Sequence, residues 1–126
     1  MTLTALIITD KQEVFKYYES AFRDRNVYVK HLYFHLQEFI HKLVDMNPDI
    51  ILIETLPNDM AAQLLDHLLK QELSRRPAVF VCMEQRTSGW EQLFLRKQVM
   101  YIFDKDMSEI NVVDCILHLH SLYRSI

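Results

Sequence analysis

The sequence predicts an α/β protein in which a five-stranded parallel sheet is covered by helices on both faces. Along the 126 residues, five short apolar runs alternate with five segments of helical periodicity. Repeated strand–helix units of this kind force parallel strands with right-handed crossovers. In addition, Ile50 to Ile53 is an unbroken apolar run bounded by turn residues, which is typical of a central strand buried on both faces.

The first two strand–helix units precede this central strand. Leu3–Thr9 is a strand rich in Leu, Ile and Thr. Asp10 and Glu13 have the spacing of a capping box, which predicts a helix that continues to about Arg25. Val27–Tyr33 alternates apolar and polar residues and indicates a half-exposed strand near an edge. The second helix is predicted from its apolar stripe, Leu36, Phe39, Ile40, Leu43 and Val44.

The remaining units follow the same pattern. The segment Pro57–Asp59 begins the third helix, and Ala78–Met83 is another buried strand. Ser88–Glu91 is a second capping box, which opens a short helix, and Val99–Phe103 is the fifth strand. Ser108 caps the last helix, which runs almost to the end of the chain.

Composition limits the classes of protein that fit. The length suits a single domain spanning residues 1–126. The net charge of −3 argues against nucleic-acid binding by this domain alone, so DNA would be contacted only through another domain. The apolar runs are too short to span a membrane and no secretion signal is visible. Cys82 and Cys115 read as buried thiols of a reducing compartment, so we expect a cytoplasmic protein.

The scarcity of glycine and the spacing of the histidines argue against a bound nucleotide and a bound zinc ion. Gly89 is the single glycine, and both the dinucleotide-binding fingerprint and the phosphate-binding loop need several. His31 lies on a predicted strand and His35 at a helix start, so their spacing gives no shared helical face for zinc. We therefore predict no cofactor and no metal.

The predicted strand ends resemble a known family, the CheY-like receiver domain of bacterial response regulators. Pro48-Asp49, four apolar residues and Glu54 resemble that family's third strand, which ends at a phosphate-accepting aspartate. Thr9 and Asp10 stand where its first strand has two acids. Cys82 stands at the position of its Thr or Ser, and Lys105 resembles its lysine. The resemblance covers the whole chain and implies a flavodoxin-like (βα)5 fold with strand order 2-1-3-4-5.

The chain departs from the family at the positions that carry its chemistry. Glu54 replaces the accepting aspartate, Thr9 replaces an acid and Cys82 replaces the hydroxyl residue. The family uses clustered carboxylates to hold Mg²⁺, so the loss at Thr9 weakens that site. The extra methylene of Glu54 moves its oxygens by roughly an ångström, a misplacement that costs about 10²-fold in rate. We predict a pseudo-receiver: these three residues, with Asp10 and Lys105, form a vestigial pocket.

The resemblance implies a non-enzymatic signalling module that acts by protein–protein contact and dimerisation, as the N-terminal regulatory domain of a transcription regulator. Glu54 is interpreted either as a mimic of the phosphorylated state or as an ion-pair partner of Lys105, which also can pair with Asp10. Two other functions stay open at this stage. One is a working receiver that accepts phosphate, and the other is a small-ligand sensor that uses the cleft at the strand ends.

The last helix predicts the dimer interface. One stripe, Ile110, Val113 and Leu117, is sufficient to cover the sheet. A second stripe at i, i+4, i+7 and i+11 consists of Val112, Ile116, Leu119 and Tyr123. An exposed apolar strip usually marks a partner surface, so we predict that this stripe pairs with its twin in a homodimer. Packing of part of the stripe against the first helix is the alternative.

Overall fold

The computed structural model describes residues 2–33 and 36–124. Five strands alternate with five helices along the chain. Their bounds are β1 Leu3–Ile8, α1 Gln12–Arg23, β2 Val27–Leu32, α2 Leu36–Met46, β3 Ile50–Glu54, α3 Asn58–Lys70, β4 Ala78–Met83, α4 Ser88–Arg96, β5 Tyr101–Asp104 and α5 Glu109–Arg124.

The strands form one parallel sheet in the order β2-β1-β3-β4-β5, which confirms the predicted fold class and topology. Every residue of β3 is buried, as the unbroken apolar run predicted. In the register of the sheet, Ile8 of β1 lies opposite Ile53, and Glu54 lies opposite Cys82 of β4. The carboxyl ends of β1, β3 and β4 therefore meet at one edge.

The sheet separates two hydrophobic cores. Successive strand residues point to opposite faces, so each strand contributes to both. The core on the side of α2, α3 and α4 includes Leu6, Ile51, Ile53, Leu64 and Phe94. The core on the side of α1 and α5 includes Ile7, Leu52, Phe22, Phe80 and Ile116. Glu54 is two residues beyond Leu52 on the strand, so its side chain points toward the α1 and α5 side.

The ends of two helices differ from the prediction. The predicted capping box at Asp10 is wrong, because the N-cap position of α1 is Lys11, whose side chain makes no capping bond. Instead, Thr9 Oγ1 accepts a hydrogen bond from the Lys11 backbone N–H at 3.2 Å. Helix α4 is capped one residue earlier than predicted, by Thr87, which accepts from the Trp90 N–H at 3.4 Å. The predicted cap of α5 at Ser108 is confirmed, since its Oγ accepts from the Asn111 N–H at 3.3 Å.

Helix α5 is rotated relative to the prediction. Its buried residues are Val112, Val113, Ile116 and His120. Ile110, which was expected to cover the sheet, is instead exposed. The buried arc combines members of both predicted stripes, because α5 has apolar residues around much of its circumference and a single stripe cannot be chosen from spacing alone.

Candidate functional site

Glu54 is the central feature of the carboxyl edge of the sheet. Its side chain points under α1, and only 5% of the residue is exposed. The hydroxyl of Tyr18, which is 2% exposed, donates a hydrogen bond to Glu54 Oε2 at 3.0 Å. Tyr18 lies on the buried face of α1, as its position in the predicted apolar stripe indicated. The carboxyl therefore faces the protein interior rather than the solvent beyond the strand ends.

Two opposing effects act on the pKa of the Glu54 carboxyl, and the larger of them is burial. Burial raises the pKa of its carboxyl, because the charged form loses hydration. Interactions with Cys82, Tyr18 and Lys11 lower the pKa, but burial prevails. Of these neighbours, Tyr18 makes the bond that has full hydrogen-bond geometry.

The two other titratable groups of this buried cluster, Tyr18 and Cys82, are held in their neutral forms. Burial raises the pKa of the Tyr18 hydroxyl well above its usual value, and the nearby Glu54 raises it further. Burial likewise raises the pKa of the Cys82 thiol, with Glu54 again the second cause. Because the thiolate is the reactive form of cysteine, Cys82 is an inert thiol in this position.

The first-strand residues do not supply a cation site with Glu54. Thr9 is fully buried, its Oγ1 bonds the Lys11 N–H, and its carbonyl oxygen lies 2.8 Å from His31 Nε2. Asp10 is exposed at the same end of the sheet, whereas the Glu54 carboxyl is buried against Tyr18 of α1. These residues do not fit the Mg²⁺ that receiver chemistry needs, since Mg²⁺ requires carboxylate oxygens converging on one solvent-accessible position. No group of three or more His, Cys, Asp or Glu among the described residues is arranged to hold a metal.

Lys105 does not occupy the predicted position beside Glu54. Its side chain is exposed in the turn after β5. Among the ion pairs of residues 2–33 and 36–124, none joins Lys105 to Glu54. The predicted ion pair is therefore replaced by the hydrogen bond from Tyr18, because the Glu54 side chain points away from the edge at which Lys105 lies.

The turn after Glu54 is strained. Thr55 has φ of 50°, a left-handed conformation that is unfavourable for a β-branched residue. Only three residues connect β3 to α3, and within them Leu56 must reach the core on the opposite face of the sheet. Thr55 Oγ1 is buried in this turn and has no hydrogen-bond partner.

A shallow depression of about 350 Å³ lies at the strand ends beside this turn. Its lining consists of Leu56, Pro57, Asn58, Glu84 and Gln85. Glu54 does not contribute to the lining. A molecule in this depression would therefore meet amide and carboxylate groups of the two flanking loops and would not reach the carboxyl at the end of β3.

The predicted dimer stripe is wrong for two of its four residues. Val112 and Ile116 are fully buried in the core between α5 and the sheet. Leu119 is half-buried against the same core, and Tyr123 is exposed. The stripe therefore cannot form a continuous interface.

Sequence reasoning missed two buried polar clusters. The first is the Tyr18–Glu54 pair, which could have been suspected because a tyrosine on a core stripe needs a partner for its hydroxyl. The second lies at the opposite end of the sheet, where buried Asp49 pairs with Arg75 at 2.9 Å and Arg124 at 3.6 Å. Asp49 also accepts from the Thr4 N–H at 2.9 Å, so it ties β1 and the end of α5 to the start of β3.

The described helices include none that is long and apolar enough to cross a membrane.

Comparison with solved structures identifies the fold as that of response-regulator receiver domains. The signal receiver domain from Vibrio parahaemolyticus superposes with a TM-score of 0.85 at 12% identity and covers 98% of this chain and 94% of its own. A response regulator from Thermotoga maritima gives 0.83 at 12% identity, with 96% and 99% coverage. An orphan response regulator of H. pylori gives 0.80 at 13% identity, with 94% and 96% coverage.

No protein-family model and no curated protein sequence matches the chain. The chain thus has the CheY-like receiver fold, as the resemblance of its strand ends predicted. At these identities the likeness defines the fold. Function has to be argued from the residues of the site.

Proposed function

We propose that this chain is a signalling module with the receiver fold that works without accepting phosphate at the end of β3. The observation that supports this most is the placement of Glu54, which is buried beneath α1 and hydrogen-bonded to Tyr18. An acceptor carboxylate has to be ionised, accessible and in line with the donor phosphorus. Glu54 is buried, has a raised pKa and points away from the edge.

The neighbouring positions support the same proposal. Phosphorylation needs a metal-binding acid at the position of Thr9. The Thr9 side chain is instead a hydroxyl, which accepts a hydrogen bond from the Lys11 N–H. Lys105 is exposed and outside the cluster. We assign the chain no enzymatic activity, and we place its action in protein–protein contact.

We propose further that the module self-associates through the face formed by α4, β5 and α5. Exposed apolar residues occur there on each element: Leu95 on α4, Tyr101 on the edge strand β5, and Tyr123 on α5. Arg86, which precedes α4, connects two elements of this face. It pairs with Glu91 of α4 and, at 3.3 Å, with Asp104 of β5. An edge strand that carries exposed apolar residues is a natural surface for a symmetric contact.

Such a dimer suits the N-terminal regulatory part of a cytoplasmic transcription regulator. It would fix the spacing of attached DNA-binding domains without a phosphorylation step. The net charge of −3 leaves DNA contact to those separate domains.

Sedimentation velocity tests the self-association directly. We expect a dimer at high micromolar concentration whose proportion does not change when a small phosphodonor and Mg²⁺ are added. Tyr101→Glu should yield monomers, because it places charge at the centre of the proposed contact. Tyr28→Glu is the matched control, since Tyr28 is about equally exposed but lies on the opposite edge strand β2. A monomeric parent, or a dimer that forms only with phosphodonor, would contradict the proposal.

A further inference from the structure

Strand β2 forms one edge of the sheet, and in the described part of the chain no strand lies beyond it. The backbone N–H of Thr9 donates to the carbonyl oxygen of Leu32 at 3.1 Å, so the main-chain groups of Leu32 point toward β1. In an extended strand these groups point to opposite sides at successive residues. The N–H and C=O groups of Val29 and His31 therefore point to the free edge, where a further strand can bond to them.

The side chains of Tyr28 and Lys30 form an exposed pair beside this free edge. They lie two residues apart on one face of β2, and Lys30 Nζ is 5.6 Å from the centre of the Tyr28 ring. Half of the Tyr28 surface is exposed. Lys30 is the one lysine of Val27–Leu32, a strand that contains no Asp or Glu. The edge therefore combines aromatic surface with a positive charge, although the chain as a whole carries a net charge of −3.

Aromatic rings flank the carboxyl end of β2. The ring of His31 stacks on Phe15 of α1, with ring centres 4.4 Å apart and 13° between the planes, and it also lies 4.4 Å from the ring of Tyr33. His31 Nε2 is held 2.8 Å from the Thr9 carbonyl oxygen, and the Tyr33 hydroxyl donates to Gln12 Oε1 at 3.0 Å. Tyr33 nevertheless remains 48% exposed. These rings are thus fixed in place and offer apolar contacts to the side chains of an added strand.

We propose that the free edge of β2 binds an extended, acidic segment of a partner protein, which adds to the sheet as a sixth strand. The segment bonds to the main-chain groups of Val29 and His31 and places an Asp or Glu beside Lys30. A lysine on an edge strand disfavours pairing with most strands, because its ammonium group would lose hydration. A carboxylate on the added strand offsets this loss, so Lys30 selects acidic partners. A second copy of β2 is disfavoured, since it brings another lysine and no acid.

This surface is separate from the proposed self-association face. Strand β2 lies at the opposite edge of the sheet from β5, so a partner segment and a second copy of the chain can be bound at the same time. With six residues against four in β5, β2 also offers the longer edge. The inference gives the proposed protein–protein function a partner of defined chemistry, and its success does not depend on dimerisation.

The test begins with selection from a random library of short displayed peptides, with the full chain as the target. We expect the selected peptides to be enriched in Asp and Glu. Synthetic copies should slow amide hydrogen exchange at Val29 and His31, measured by NMR, because these N–H groups become bonded to the peptide. The N–H groups of Tyr28 and Lys30 already face β1 and should change little. A library that yields no binder, or binders that leave exchange at Val29 and His31 unchanged, would overturn the proposal.

Charge-reversal variants test the role of Lys30. Lys30→Glu should weaken the selected peptides by roughly tenfold, because it replaces an attraction between the strands by a repulsion. Lys70→Glu makes the same change at an exposed position at the end of α3 and should leave the affinity unchanged. Equal affinities of the parent and Lys30→Glu would overturn the selection of acidic partners. Tyr101→Glu, which should abolish self-association, should still bind the peptides, so either claim can fail alone.

Discussion

The hydroxyl of Tyr18 and the carboxyl of Glu54 form a buried hydrogen bond of 3.0 Å between α1 and the end of the central strand. The contact holds the carboxyl at the end of β3 inside the protein, where Glu54 is 5% exposed. It also explains how a chain with the receiver fold tolerates a buried acid whose expected lysine partner is exposed. A buried polar group without a partner is costly, and each of these two groups satisfies the other.

Tyr18→Phe should lower the free energy of unfolding by about 1–3 kcal/mol, because it leaves the Glu54 carboxyl without its donor in the core. Urea denaturation monitored by circular dichroism measures this change. Tyr17→Phe is the matched control, since Tyr17 is the adjacent residue of α1 and is 64% exposed. If both variants have the same midpoint, the Tyr18–Glu54 bond contributes nothing to stability.

Stability should also depend on pH through Glu54. Burial raises the pKa of its carboxyl in the folded protein, so the folded state binds more protons than the unfolded state. The free energy of unfolding contributed by Glu54 is therefore fully present below the unfolded pKa of about 4.3, and it is lost as pH rises through the higher folded pKa.

Glu54→Gln should remove that component, so the variant should gain stability relative to the parent as pH rises and match it most closely near pH 4. Glu84→Gln is the control, because Glu84 is exposed on the adjacent loop. Denaturant midpoints at several pH values provide the measurement. A parent and a Glu54→Gln variant with parallel profiles would show that Glu54 is not buried in solution.

Thr55→Gly should stabilise the protein by about 1 kcal/mol, because glycine adopts a positive φ without steric cost and removes the unpartnered hydroxyl. Asn26→Gly is the comparison variant. Asn26 has a similar φ of 61°, but asparagine tolerates this conformation well, so the gain should be smaller. Thermal unfolding of both variants tests the difference, and an equal or smaller gain at Thr55 would argue against strain in this turn.

Lys105→Met should change stability by less than about 0.5 kcal/mol, since the lysine is exposed and the Glu54 carboxyl is satisfied by Tyr18. This reverses the expectation from sequence, in which the two residues formed a structural ion pair. A loss of several kcal/mol in urea denaturation would restore that ion pair and place Lys105 inside the cluster.

The sequence was sufficient to predict the fold, because the spacing of apolar residues along the chain shows which segments are strands and which are helices. The unbroken run Ile50 to Ile53 predicted the central strand, and each following strand–helix unit could then be placed with its correct neighbours. Helix ends were predicted less well, because several hydroxyls compete for the same N–H groups. At α4, Thr87 caps the helix, although Ser88 and Glu91 have the spacing of a capping box.

The sequence predicted which residues lie at the carboxyl ends of the strands, but it did not predict the directions of their side chains. Glu54, Thr9 and Cys82 do meet at one edge, as parallel strands require. The sequence could not show that the Glu54 side chain turns under α1, because that choice depends on Tyr18 of another element and on the short connection through Thr55. The rotation of α5 was missed for the same reason, since which side of a helix contacts the sheet is decided by packing around residues such as Val112.

The central claim is that the end of β3 accepts no phosphate, and intact mass spectrometry tests it most directly. The parent, Glu54→Gln and Glu54→Asp would each be incubated with a small phosphodonor and Mg²⁺. We expect no phosphate adduct on the parent, and little on Glu54→Asp because Thr9 still lacks the metal-binding carboxylate. An adduct of one phosphate on the parent that disappears in Glu54→Gln would contradict the account.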